Sequence, residues 1–61
     1  MNPFSHLAEA RRHDAQSCEC TALYFEAFGD TQQAKFYREM AESYHRMAAE
    51  TEALIAEMEA A

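Results

Sequence analysis

The sequence predicts an all-α protein, a two-helix antiparallel hairpin, and three observations carry that prediction. Helix-forming residues dominate a chain of 61 residues with a single glycine and a single proline. Those two breakers stand where a hairpin needs them, Pro3 at the start and Gly29 near the middle. Small and apolar residues also recur every seventh position on both sides of Gly29, the repeat of helices packed along their length.

The first helix is expected over about residues 3–28. Asn2 suits the N-cap, and Pro3 suits the first helical position, where a missing N–H costs nothing. No breaker follows until Gly29, which fits the left-handed residue that closes a helix. Asp30 then caps a second helix over about residues 31–59, with Gln33 completing an Asp-x-x-Gln capping box. Residues 1–61 read as one αα-hairpin domain.

The heptad lines can be read directly. In the first helix Ala8, Ala15, Ala22 and Gly29 form one line, flanked by Phe4, Arg11, Cys18, Phe25 and by Leu7, Asp14, Thr21, Phe28. In the second, Ala34, Ala41, Ala48 and Ile55 are flanked by Tyr37, Tyr44, Thr51, Met58 and by Met40, Met47, Leu54. In a hairpin, residues at equal height have numbers that add to a fixed total. Gly29 with Ala34, Ala22 with Ala41, Ala15 with Ala48, and Ala8 with Ile55 share one total. Phe25 with Tyr37, Cys18 with Tyr44, Arg11 with Thr51, and Phe4 with Met58 share the total one lower. The eight residues of the first set are therefore the predicted intrachain seam, and the repeat predicts a left-handed antiparallel coiled coil.

With these small residues in register, the chain resembles the Alacoil class of helix pairs and, in size and layout, the Rop-type plasmid proteins. That likeness concerns architecture over the whole chain. It implies a hairpin that pairs into a four-helix bundle and binds paired RNA loops. A second pattern, Ala22-x-x-Phe25-x-x-x-Gly29-Asp30-x-x-x-Ala34-x-x-x-x-x-x-Ala41, looks like the core of a tetratricopeptide repeat. It departs from that family near Arg46, where the repeat's closing proline would fall, and it occurs once where a solenoid needs about three copies. The match implies shared close-packing geometry.

A chain of this size buries only about 60% of the surface it exposes when unfolded, so oligomerisation is the expected support. Leu7, Tyr24, Phe28, Phe36, Met40, Met47 and Leu54 remain uncovered once the seam is paired, and they form the predicted dimer or partner interface. A symmetric homodimer would bury them in a four-helix bundle, and a groove for a foreign helix is the alternative. Arg11 and Asp14 interrupt this stripe and can pair at their helical spacing, a polar layer of the kind that fixes register or oligomer state. Leu23, Ala27 and Cys20 fall on the far side of the first helix, toward solvent.

The chemistry-bearing residues point away from catalysis. No phosphate loop, nucleophile elbow or paired buried carboxylates can be found, so neither catalytic residues nor a cofactor are predicted. His6, His13 and Cys20 repeat at a spacing of about 10 Å, too long for one metal ion. Glu9 with His13 and Glu42 with His45 are the best chelating pairs, and two ligands do not make a metal site. Five Lys plus Arg against eleven Asp plus Glu give a net charge of −6, which disfavours non-specific contact with nucleic acid and anionic membranes. Arg12, Lys35 and Arg38 are the candidate nucleic-acid patch, opposed by Glu50, Glu52, Glu57 and Glu59. MNPFSHLAEARR lacks the regions of a secretory leader, and no apolar run is long enough to span a bilayer, so a cytoplasmic protein is expected.

The resulting expectation is a small non-enzymatic interaction or regulatory protein, of the kind a plasmid or phage encodes as an accessory regulator or inhibitor. It would act as a homodimeric helical bundle that binds another macromolecule, with a protein partner expected. The alternatives are a Rop-like RNA- or DNA-binding regulator and a metal-binding bundle.

Overall fold

Local chemistry at Asn2, Gly29 and Asp30 sets where the helices begin and end in the computed structural model, which describes residues 2–61. Helix α1 spans Pro3–Ala27 and α2 spans Thr31–Ala60. Asn2 has extended backbone, and its side-chain oxygen accepts a hydrogen bond of 2.8 Å from the Phe4 N–H. That satisfies one of the donors a helix start leaves open.

Helix α1 stops at Ala27, and the turn is a Schellman closure. The Asp30 N–H donates to the Phe25 carbonyl at 2.9 Å and the Gly29 N–H to the Glu26 carbonyl at 3.0 Å. Gly29 takes φ 77°, the left-handed conformation that a Cβ disfavours. Asp30 caps α2 by accepting from the Gln33 N–H at 3.1 Å. The expected capping box is thus half formed, because the Asp30 N–H already closes the preceding helix and leaves the Gln33 side chain no donor there.

The two helices pack antiparallel along an alanine seam. Ala8, Ala15 and Ala22 of α1 and Ala34, Ala41 and Ala48 of α2 are buried, and Ile55 is half-buried at the open end. Cys18 is the largest buried side chain among the described residues. A seam of methyl groups lets the helix axes come close. Tyr37, Met40 and Tyr44 flank the cluster of Ala15, Cys18 and Ala41. Near the turn, the Phe25 and Tyr37 rings stack with centroids 5.6 Å apart and planes 11° from parallel.

Gly29 does not belong to the seam. It is exposed, and a Cβ built on it would meet nothing within 4 Å. The seven-residue spacing carries past the end of α1 at Ala27, where the backbone leaves the helix and the spacing no longer maps onto a face. Its role is conformational: it turns the chain.

The seam makes two graded predictions. Ala22→Leu and Ala41→Leu should each cost about 1–3 kcal/mol in denaturant unfolding, whereas Ala49→Leu, at an exposed position, should stay within about 0.5 kcal/mol of the parent. Gly29→Ala should cost about 1 kcal/mol through backbone strain alone, since the added methyl has open space.

Candidate functional site

Heptad geometry sends the residues beside the seam to two opposite faces, and their chemistry differs completely. One face carries the large apolar side chains. Phe28 is 72% exposed, Tyr24 and Leu54 59%, and Phe36 55%. Phe4, Leu7, Met47 and Met58 are exposed as well, and Met40 is half-buried. All seven residues of the predicted interface therefore lie at the surface or partly covered. None is withdrawn into the hairpin.

The apolar face has structure along its length. At the turn end, Tyr24 packs against Phe28 with centroids 4.9 Å apart and edge-on to Phe25 at 5.4 Å, while Phe36 meets Tyr37 edge-on at 5.3 Å. At the open end, Phe4, Leu7, Thr51, Leu54, Glu57 and Met58 line a shallow depression. Phe36, Glu39, Met40, Ser43, Tyr44 and Met47 line another along α2. Thr21 and Thr51 donate their hydroxyls to the Ser17 and Met47 carbonyls at 2.9 Å, so they need no outside acceptor.

Arg11 and Asp14 are a charged pair within this face. The Arg11 guanidinium lies 3.6 Å from the Asp14 carboxylate, and its central carbon is 6.0 Å from the centroid of the Tyr44 ring. Both side chains remain partly exposed. In the isolated hairpin they form a solvated pair on the surface; nothing encloses them.

The opposite face is crossed by a ladder of polar interhelical pairs. Arg12 meets Glu52, Glu19 meets His45 at 2.7 Å, and Glu26 meets Arg38. The rungs are seven residues apart on each helix, and their numbers share one total, the seam total plus one. Sequence reasoning missed this ladder although the same index rule would have found it. Side chains on that line reach across the seam from its polar edge, as charged residues flanking a packed helix pair do.

The ladder reassigns several candidate residues. His45 reaches Glu19 on the other helix and not Glu42, because its line faces α1 while Glu42 stands one line further out. Glu9 and His13 approach to 3.9 Å. Among the described residues no three metal-ligating side chains come together. Arg12 and Arg38 are engaged with Glu52 and Glu26 and stand two rungs, about 21 Å, apart. The expected basic patch of Arg12, Lys35 and Arg38 is thus spread along the face and largely neutralised. Cys20 is exposed and Cys18 buried, both as free thiols, and Leu23 is exposed beside Glu19 and Arg38.

Comparison of the chain with protein-family models, curated proteins and solved structures finds no match. No helix is long and apolar enough to cross a membrane among the described residues.

Exposed pairs of this kind contribute little individually. A double-mutant cycle with Glu26→Ala and Arg38→Ala should return a coupling of about 0.2–1 kcal/mol. Raising salt to about 1 M should shrink it further.

Proposed function

We propose that this chain is a non-enzymatic interaction protein that works as a homodimeric four-helix bundle. Two hairpins meet through their apolar faces, and the charged faces turn outward toward another macromolecule. The observation that carries this reading is the mismatch between core and surface. Methyl groups and one thiol make up the buried residues, while Phe4, Leu7, Tyr24, Phe28, Phe36 and Leu54 stand in water on one side. Apolar exposure of this extent is unusual on a monomer, and a second copy covers it with the same surface.

Scale supports the same reading. The hairpin measures 49 × 15 × 9 Å along its principal axes, taken over Cα atoms. The broad side is comparable to the roughly 800 Å² per partner that a stable interface covers. The architectural likeness to Alacoil pairs and Rop-type hairpins agrees with pairing into a bundle, and the heptad repeat agrees with coiled-coil packing. The likeness to nucleic-acid binding is less favoured on this chain, because Arg12 and Arg38 already have carboxylate partners and the net charge is −6. Its size and acidity suit an accessory regulator or inhibitor, and the cytoplasm suits its two free thiols.

Sedimentation equilibrium tests the central claim. The parent should be a dimer at micromolar concentration, and Met40→Glu or Leu54→Glu should weaken association at least about tenfold by placing an unpaired charge in the interface. Helicity that persists while the parent sediments as a monomer would overturn the reading.

A further inference from the structure

We infer that the apolar face also takes a foreign partner, a cationic amphipathic helix that lies along α2 in place of the second copy. This goes beyond the homodimer reading by naming a different occupant for the same surface.

The two edges of the face differ in charge. Two shallow depressions follow α2. One joins Phe36, Met40, Tyr44 and Met47 to Glu39 and Ser43, and the other joins Phe4, Leu7, Leu54 and Met58 to Thr51 and Glu57. Glu50 stands between these levels, seven residues before Glu57 on the same helical line. All three glutamates are exposed, and none takes part in an ion pair among the described residues. Arg46, between Glu39 and Glu50, is the one cation along this edge. Arg11 and Asp14 offset each other within the face. The other edge, on α1, runs through Ala10, Ser17 and Tyr24 and carries no charge.

A second copy does not answer this pattern. Whichever way it is turned, it presents either the uncharged α1 edge or the same three carboxylates with the same Arg46. Each copy also carries a net charge of −6, so pairing gathers like charge. The homodimer therefore covers the face through apolar contact alone. A helix with lysine or arginine beside its apolar stripe makes that contact and adds charge pairing to it. Glu39 and Glu57 lie about 27 Å apart along the axis of α2, the length of about five turns of such a helix.

The lining suits an exchangeable occupant. Met40, Met47 and Met58 are unbranched, polarisable side chains, which refit to apolar surfaces of different shape. A face that repacks in this way serves more than one partner, and the charged rim chooses among them.

Fluorescence anisotropy with a labelled helical peptide of about 20 residues, leucine on one side and lysine on the other, tests the inference. It should bind the parent at least about tenfold more tightly than the same peptide with glutamine in place of lysine. Glu39→Gln, Glu50→Gln and Glu57→Gln together should abolish that preference. Glu9→Gln, Glu42→Gln and Glu59→Gln remove the same charge from the opposite face, and they should leave the affinity within about threefold of the parent. Equal losses in the two triple variants, or equal binding of the two peptides, would overturn the inference.

Sedimentation separates this outcome from the homodimer reading. With saturating lysine peptide, the parent should sediment as one hairpin with one peptide. A complex that keeps two hairpins would overturn the exchange. A parent that is a monomer without peptide, and still forms the one-to-one complex, supports the cationic helix as occupant and overturns the homodimer reading alone.

Discussion

Close approach of two helices over a line of methyl groups is the constraint on which the rest of this structure depends. Ala8, Ala15, Ala22, Ala34, Ala41 and Ala48 are buried because nothing larger fits between the backbones. That narrow seam fixes the register, since any slip would drive a larger side chain into a methyl-sized gap. It also fixes what the turn must do. Three residues, Phe28, Gly29 and Asp30, reverse the chain within a Schellman closure and deliver α2 at the right height.

The seam also dictates where every bulky residue goes. A pair of helices held so close has no interior for a phenyl ring, so aromatic and methionine side chains are pushed to the flanks. Here they are sent to one flank, which also holds Arg11 and Asp14, while the interhelical charged pairs lie on the other. The charged flank carries interhelical pairs between Arg12 and Glu52, Glu19 and His45, and Glu26 and Arg38. Such exposed pairs contribute modestly to stability, and they keep the polar edge of the seam solvated. Sorting by flank gives the hairpin one mainly apolar side and one mainly charged side.

Much of this was legible in the sequence, and the reasons are physical. Helix limits could be read because Pro3, Gly29 and Asp30 are unambiguous local signals. The seam could be read because a tight hairpin converts a seven-residue repeat into a constant index total. The error at Gly29 came from extending that repeat beyond the helix that gives it meaning. Glu42 and His45 misled because only spacing within one helix was weighed, whereas Glu19 on the other helix shares the ladder's index total with His45. The charge ladder obeyed the same index rule as the seam and was missed because only apolar lines were followed. With that line unread, Arg12 and Arg38 looked available for a basic patch, whereas both meet carboxylates of the other helix.

The 9 Å short dimension of the hairpin has a consequence of its own. A single layer of two helices has no inside and outside in the ordinary sense; it has a spine and two skins. The spine holds the fold, and it is written in a handful of buried alanines. The skins can change almost letter by letter without disturbing the spine. A scaffold of this kind can exchange one surface for another while its backbone stays the same, so it is constrained by spacing more than by residue identity.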